Sequence, residues 1–288
     1  MKDRDLKLDW SSSDIECRFA LKGGKFTAPG ALLPFMLGLI FSTCFLGVVY
    51  YLYRQDFHIG KMFFERGPVP FPIVLLAGWC LGFIWVKRRK QLFQEQSLNI
   101  VVVPTDPSYA ITPDTTSTVL DTIYETVDSP RHFILFNRIE NALANLKNMG
   151  RIGDVDEILK SQAENDENVI ESSYTQIKGF IWAIPVLGFI GTVMGLSEAI
   201  GSFGAILQNS TEFSQIKGGL QTVTGGLATA FDTTFIALVA ALFIQILINW
   251  IKQKDEALLD ECTEYCMRNV IARLRLQPPE APVKIKED

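Results

Sequence analysis

The 288-residue chain is rich in apolar residues and poor in charge: 48% of its residues are hydrophobic and 20% are charged. So few charged residues disfavour a soluble globular enzyme, because the surface of such a protein needs a larger share of them. The net charge of −5 also disfavours a nucleic-acid-binding protein, which needs a basic surface. Composition therefore favours a protein of the membrane.

Cysteine and histidine are too few and too scattered to predict a metal site or a disulfide framework. Cys262 and Cys266 stand at helical spacing, but no second pair of ligands accompanies them. A packed thiol pair is therefore favoured over metal binding. We expect no metal and no cofactor in this chain.

Four segments are long and apolar enough to cross a hydrocarbon core about 30 Å thick. They are residues 31–53, 68–86, 180–207 and 220–251. The polar start of the chain contains both acids and bases, so we expect no cleavable signal peptide. The first span is therefore predicted to stay in the membrane.

Orientation is predicted from the basic residues beside the spans. The cluster at 87–90 follows the second span and marks the cytoplasmic side, so both termini are predicted to lie inside. Arg54, Lys61 and Arg66 argue mildly against an outside position for their loop. Nearby acidic residues offset these three positive charges, so the denser basic cluster at 87–90 determines the predicted orientation.

The predicted fold class is an all-α integral membrane protein with four transmembrane helices. A helical cytoplasmic domain separates spans two and three, and the third and fourth helices extend into the cytoplasm. The segment 91–113 is predicted to be extended or looped because of its prolines, and the sequence indicates no function for 1–30 or 91–117. In chain order the predicted parts are a cytoplasmic segment (1–30), the first span (31–53), a periplasmic loop (54–67), the second span (68–86), the cytoplasmic helical domain (87–179), the third span (180–207), a periplasmic loop (208–219), the fourth span (220–251), a cytoplasmic helix (252–276) and a disordered tail (277–288).

Small residues recur along the third and fourth spans. The glycines predicted to pack helices are Gly188, Gly191, Gly195, Gly225 and Gly226. Rows of small residues let membrane helices approach closely, which is a main source of their association. These glycines therefore predict a tight helix pair.

Polar residues interrupt the fourth span. Thr222, Thr229 and Thr233 share one helix face, with Asp232 beside them. An acid in hydrocarbon costs about 2.5–3.5 kcal/mol, so Asp232 needs a partner, water or protonation. A single threonine can bond back to its own helix, but several around a carboxylate favour a hydrated ion pathway. A structural hydrogen bond from Asp232 is the alternative, and Glu198 in the third span is predicted to be a solvated interface residue.

Two motifs carry a resemblance to a known family. The sequence GFIGTVMG at 188–195, followed by TAFDTTFIAL at 229–238, resembles the MotA/TolQ/ExbB proton channel family. The resemblance extends more loosely over 138–183. By position, Thr192 and Thr234 match the family's two pore threonines, with Thr233 just before the second, and their implied role is to line the ion path.

The resemblance also implies partners and a mechanism. Members form homopentamers around two copies of a single-span protein of the MotB, TolR or ExbD type, whose membrane helix carries an aspartate. The pentamer is thought to turn around that dimer in the bacterial inner membrane, converting proton-motive force into mechanical work. The transported ion, H⁺ or Na⁺, and the process that is powered stay open. The expected environment is the lipid bilayer. No nucleic-acid partner is expected.

This sequence departs from the family in two ways. Four spans resemble MotA in topology, whereas the motifs look more like TolQ and ExbB. Asp232 also stands where many relatives have an apolar residue, which leaves its role open.

Two other functions compete with the ion channel. A non-conducting membrane scaffold would use the same glycines only to assemble partner helices and recruit cytoplasmic proteins. An intramembrane enzyme is disfavoured, because Asp232 has no second acid at its depth and no nucleophile and base accompany it. No phosphate-binding glycine loop is present either, which argues against direct use of nucleotides.

Overall fold

The computed structural model describes most of the chain. The described residues are 8–21, 23–104, 109–144, 146, 152–209 and 213–275. Their regular structure is helical, without a β-strand among them. The tail predicted at 277–288 and a helix end predicted near Gly150 lie outside these residues.

Ten α-helices occur in the described part of the chain. They are α1 (Trp10–Ser13), α2 (Ile15–Arg18), α3 (Leu32–Arg54), α4 (His58–Phe64), α5 (Pro70–Leu98), α6 (Thr116–Thr126), α7 (Ile134–Ala144), α8 (Ile152–Ser173), α9 (Thr175–Asn209) and α10 (Phe213–Asn269). Four helical stretches, containing α3, α5, α9 and α10, are long and apolar enough to cross a membrane. The predicted all-α class with four membrane helices is therefore confirmed.

Two features differ from the sequence prediction. Helix α5 continues to Leu98, so the prediction of extended structure is wrong for 91–98. Helix α4 lies within the segment 54–67 that was predicted as a loop. Helix α10 runs without a break through the predicted span 220–251 and most of the helix predicted after it, in agreement with a fourth helix that extends beyond its span.

The chain divides into two compact units. The membrane unit consists of Ala31–Val86 and Tyr174–Ile251, and the polar unit contains Met1–Gly30, Lys87–Ser173 and Lys252–Asp288. All four apolar stretches contribute to the membrane unit. Its boundaries at 86/87 and 251/252 fall inside α5 and α10, because each of these helices changes there from apolar to charged sequence.

Helices α3 and α5 pack closely in the membrane unit. A Cβ on Gly38 would lie 2.5 Å from the Cα atom of Trp79, so only glycine allows this approach. The hydroxyl of Ser42 donates to the carbonyl oxygen of Val74 at 3.0 Å. The close approach at Gly38 and the hydrogen bond of Ser42 thus hold α3 against α5.

Exposed tryptophans mark one end of the membrane unit. Trp85 on α5, Trp182 on α9 and Trp250 on α10 are 43%, 72% and 46% exposed, respectively. All three stand near the ends of the apolar stretches that adjoin the charged sequence. Tryptophan is enriched at membrane–water interfaces because its ring is apolar and its N–H is polar.

Buried ion pairs organise the polar unit. Lys90 on α5 lies 3.5 Å from Asp14 and 2.5 Å from Glu16, which ties the N-terminal segment to α5. Arg138 on α7 contacts Asp166 on α8 at 2.7 Å. Burial raises the pKa of Asp166, and the hydrogen bond and charge of Arg138 oppose that rise.

A further buried pair joins α5 to α10. The Lys87 Nζ atom lies 2.9 Å from a carboxylate oxygen of Asp255, and both side chains are at most 1% exposed. The side-chain amide of Gln91 donates to the same carboxylate at 2.7 Å. Removal of one charge leaves the other buried without its counter-ion, which costs more than loss of the whole pair.

We expect Lys87→Met to lower the free energy of unfolding by about 3–5 kcal/mol. The double variant Lys87→Met with Asp255→Leu should recover most of that loss, because it removes both charges of the pair. Thermal and chemical unfolding in detergent measure both effects. Lys160→Gln, which removes a surface pair with Asp156, should change stability little. A double variant as unstable as the single one would contradict this account.

Candidate functional site

Helices α9 and α10 approach each other through glycines. A Cβ on Gly191 would lie 2.5 Å from the Thr233 hydroxyl oxygen, and one on Gly195 would lie 2.7 Å from the carbonyl oxygen of Gly226. A Cβ on Gly188 would lie 2.5 Å from the side chain of Ala237. Glycine is therefore required along three turns of α9, and the two backbones meet at van der Waals distance.

Gly225 is placed differently from the other four predicted packing glycines. Its neighbour Gly226 faces α9, with Ala199 2.8 Å from the position of a Cβ. A Cβ on Gly225 would have no other atom within 4 Å in the described part of the chain. Within one subunit, the close approach thus uses Gly226.

The close approach brings two hydroxyls together. The side chains of Thr192 on α9 and Thr234 on α10 form a direct hydrogen bond. Thr192 Oγ1 also lies 3.1 Å from the carbonyl oxygen of Ala230, and Thr234 Oγ1 lies 3.1 Å from that of Gly188. The two threonines that match the family motif by position are therefore neighbours in space.

This hydroxyl pair can hold its hydrogens in two ways, since each hydroxyl can donate once and accept. In one arrangement Thr192 donates to Thr234, which donates to the Gly188 carbonyl. In the other, Thr234 donates to Thr192, which donates to the Ala230 carbonyl. Both arrangements leave each hydroxyl satisfied. The direction of hydrogen-bond donation within the pair can therefore reverse without the loss of a hydrogen bond, as a proton relay requires.

The other predicted threonines bond to their own helix. Thr222, Thr229 and Thr233 donate to the carbonyl oxygens four residues earlier, at 3.2, 3.1 and 2.9 Å. Thr233 is fully buried against Gly191, whereas Thr222 is exposed. The structure thus brings Thr192 together with Thr234 and places Thr233 in the helix contact.

Asp232 has a partner that sequence analysis missed. The Nε atom of Arg66 donates to a carboxylate oxygen of Asp232 at 2.8 Å. Arg66 lies between α4 and α5, 166 residues away in sequence. Asp232 is about 200° around α10 from Thr234, so the ion pair and the hydroxyl pair lie on different sides of that helix. The only signal of this contact in the sequence was the excess of basic residues in 54–67.

A polar cavity of about 490 Å³ lies between this loop, α9 and α10. Its wall includes Glu65, Arg66, Gly191, Glu198, Thr222 and Thr229. Glu198, predicted to be solvated, is exposed and faces this cavity. The cavity reaches Gly191, one residue before Thr192.

Four apolar helical stretches define a multi-pass membrane protein. Its membrane unit contains a hydroxyl pair and an ion pair. Residues 127–264, which include α9 and most of α10, match the MotA/TolQ/ExbB proton channel family. This segment, somewhat less than half of the chain, holds both paired threonines, and the match confirms the resemblance predicted from the two motifs. The chain matches no curated protein and no solved structure.

The match of this segment indicates the broad class of function. The family comprises proton channels and subunits of ion-driven motors and is not a class of enzymes. Its members generally work in a complex with a single-span partner. Arg66 lies outside the matched segment, whereas its partner Asp232 lies inside it.

Proposed function

We propose that this chain is the subunit of a homopentameric ion channel, or stator, of the bacterial inner membrane. A dimer of a single-span MotB/TolR/ExbD-like partner supplies a membrane aspartate. Proton-motive force then turns the pentamer around the partner dimer, and both termini face the cytoplasm. The observation that carries the proposal is the Thr192–Thr234 hydroxyl pair within the family-matched segment.

The hydroxyl pair favours protons over sodium as the transported ion. Thr192 and Thr234 bond to each other and to backbone carbonyls, so both hydroxyls are satisfied without a metal ion. A pair that can reverse its hydrogen bond suits the transfer of a proton to a nearby carboxylate. We therefore assign the pair to a proton path.

The surface beside the hydroxyl pair suits a partner helix. Thr192 and Thr234 are only partly buried within one subunit. Their neighbours Val193, Phe231 and Phe235 are large, apolar and more than half exposed. A membrane helix packed there would bring its own carboxylate to the two hydroxyls.

The chain's own membrane acid supports the need for a partner. Asp232 is already paired with Arg66 and points away from Thr234. The carboxylate that titrates at the hydroxyl pair is therefore assigned to the partner protein.

Native mass spectrometry tests the proposed assembly. The detergent-purified chain should contain five copies, and co-expression with the single-span protein encoded beside it should give five plus two. A monomer or dimer that ignores the partner would contradict the proposal and favour the scaffold function. Proton flux into vesicles that contain the complex tests conduction separately.

A further inference from the structure

A second cavity, of about 560 Å³, lies within the polar unit. It is formed by residues 13–18 and by residues 89–99, which belong to α5 except for the last. Its wall includes Ser13, Arg18, Arg89, Leu92, Phe93 and Gln96. Basic, neutral polar and apolar side chains thus line one pocket, which suits a ligand with an anionic end and an apolar end.

Two positive charges of this cavity have no counter-ion among the described residues. Arg18 and Arg89 are both exposed, and neither forms an ion pair or a side-chain hydrogen bond within that part of the chain. The other charged groups of the wall are already paired, as Lys90–Asp14 and Glu95–Arg88. Glu16 also contacts Lys90, so four cations and three acids leave an excess of one positive charge.

Helix α5 brings the cavity to the membrane surface. Arg89 follows Trp85 by one turn, about 6 Å along the helix axis, and both side chains are exposed. Trp85, Arg89, Leu92 and Gln96 share one face of α5, because they recur at helical spacing. The headgroup layer of a bilayer is about 5–8 Å deep on each side of the hydrocarbon. With Trp85 at the edge of the apolar stretch, Arg89 lies at the level of the lipid phosphates.

We propose that this cavity binds the headgroup of an anionic phospholipid and that Arg18 and Arg89 hold its phosphate. A guanidinium donates paired hydrogen bonds to phosphate oxygens, and the Ser13 hydroxyl can donate to the same group. The single negative charge of phosphatidylglycerol matches the excess positive charge of the site, whereas a zwitterionic lipid leaves that charge unbalanced. The exposed side chain of Leu92 packs against the apolar part of the lipid. This assignment requires only that the chain lies in a membrane and does not depend on ion conduction.

Lipid titration of the detergent-purified full chain tests the site. Native mass spectrometry counts the lipids that each subunit retains when phosphatidylglycerol, or phosphatidylcholine with the same acyl chains, is added. We expect one tightly bound phosphatidylglycerol per subunit and much weaker retention of phosphatidylcholine. Arg18→Gln and Arg89→Gln should each weaken binding of phosphatidylglycerol about fivefold, the usual effect of one basic residue beside lipid headgroups. Equal retention of the two lipids by the wild type would overturn the proposal.

Arg131→Gln is the matched control for charge. Arg131 also belongs to the polar unit and is 81% exposed, but it lies outside the wall of this cavity. Its replacement should leave lipid binding unchanged. A loss as large as that of Arg18→Gln would show that lipids follow the overall charge of the protein, which would contradict a specific site.

Glycerophosphoglycerol separates a lipid from a soluble phosphate compound, because it is the same headgroup without acyl chains. It should fail to displace phosphatidylglycerol at equal concentration. Displacement would assign the cavity to a soluble phosphodiester and overturn the lipid assignment.

Thermal unfolding in detergent checks that the variants fold. Without added lipid, both arginine variants should unfold at the wild-type temperature, since neither side chain has a partner to lose. Phosphatidylglycerol should raise the midpoint of the wild type more than that of either variant, because a ligand of the folded state stabilises it. High salt should weaken binding to the wild type by screening the two charges. Binding that is insensitive to salt would contradict the proposal without recourse to any variant.

Discussion

Replacing Thr192 or Thr234 with valine is expected to lower proton flux through the assembled complex by about a hundredfold or more, the usual contribution of a positioned proton-transfer group. Valine keeps the shape of threonine, but it can neither donate nor accept a hydrogen bond. The direct bond between the two hydroxyls is then lost, and so is the reversible path between the carbonyls of Gly188 and Ala230. Flux into vesicles measures the effect, and native mass spectrometry checks that five subunits remain.

Thr224→Val is the matched control for this prediction. Thr224 lies on the same helix, and its hydroxyl bonds to the carbonyl of Leu220 four residues earlier, but it is exposed and is not among the residues that line the polar cavity. Its replacement should leave flux near the wild-type value. Normal flux in Thr192→Val and Thr234→Val complexes would contradict the relay. It would favour a scaffold that uses these helices only for assembly.

Gly226→Ala should lower stability, whereas Gly225→Ala should leave it unchanged or raise it slightly, although the two glycines are adjacent. A Cβ at 226 would lie 2.7 Å from the Gly195 carbonyl oxygen, a backbone atom that cannot move without shifting α9. Overpacking of this kind costs about 1–3 kcal/mol. A Cβ at 225 would meet none of the subunit's described residues within 4 Å, and alanine favours a helix by up to about 1 kcal/mol over glycine.

The midpoint of thermal unfolding in detergent compares the two variants. Gly226→Ala should unfold several degrees below the wild type, and Gly225→Ala should unfold at the same temperature or slightly above it. Gly201→Ala, on α9 with open space at its Cβ position, should behave like Gly225→Ala. Equal destabilisation at 225 and 226 would show that α9 and α10 do not meet as described, or that Gly225 packs against a neighbouring subunit.

The sequence contained enough to predict the membrane helices and to single out Thr192 and Thr234. Hydropathy depends on local composition, so the four apolar stretches could be found without a structure. Thr192 and Thr234 could be matched because each lies in a short motif on consecutive spans. Their contact follows once glycines bring α9 and α10 together, and the glycine spacing was visible in the sequence.

Long-range charge pairs could not be predicted in the same way. The cluster at 87–90 was interpreted only as a marker of the cytoplasmic side of the membrane. In the structure, however, Lys87 and Lys90 are buried against acids distant in sequence. Pairing of these charges inside the polar unit lets α5 continue to Leu98. Arg66 was missed for the same reason, since charge counting places a basic residue near a membrane but does not give its partner.

The exposed tryptophans near the ends of α5, α9 and α10 limit how a subunit can move in a bilayer. Each indole has its lowest energy at the level of the lipid headgroups, so sliding a subunit along the membrane normal would take all three out of that layer together. Turning about the normal keeps every indole at the same depth. The fold therefore resists piston-like displacement and leaves rotation in the plane as the motion with little cost in lipid contacts.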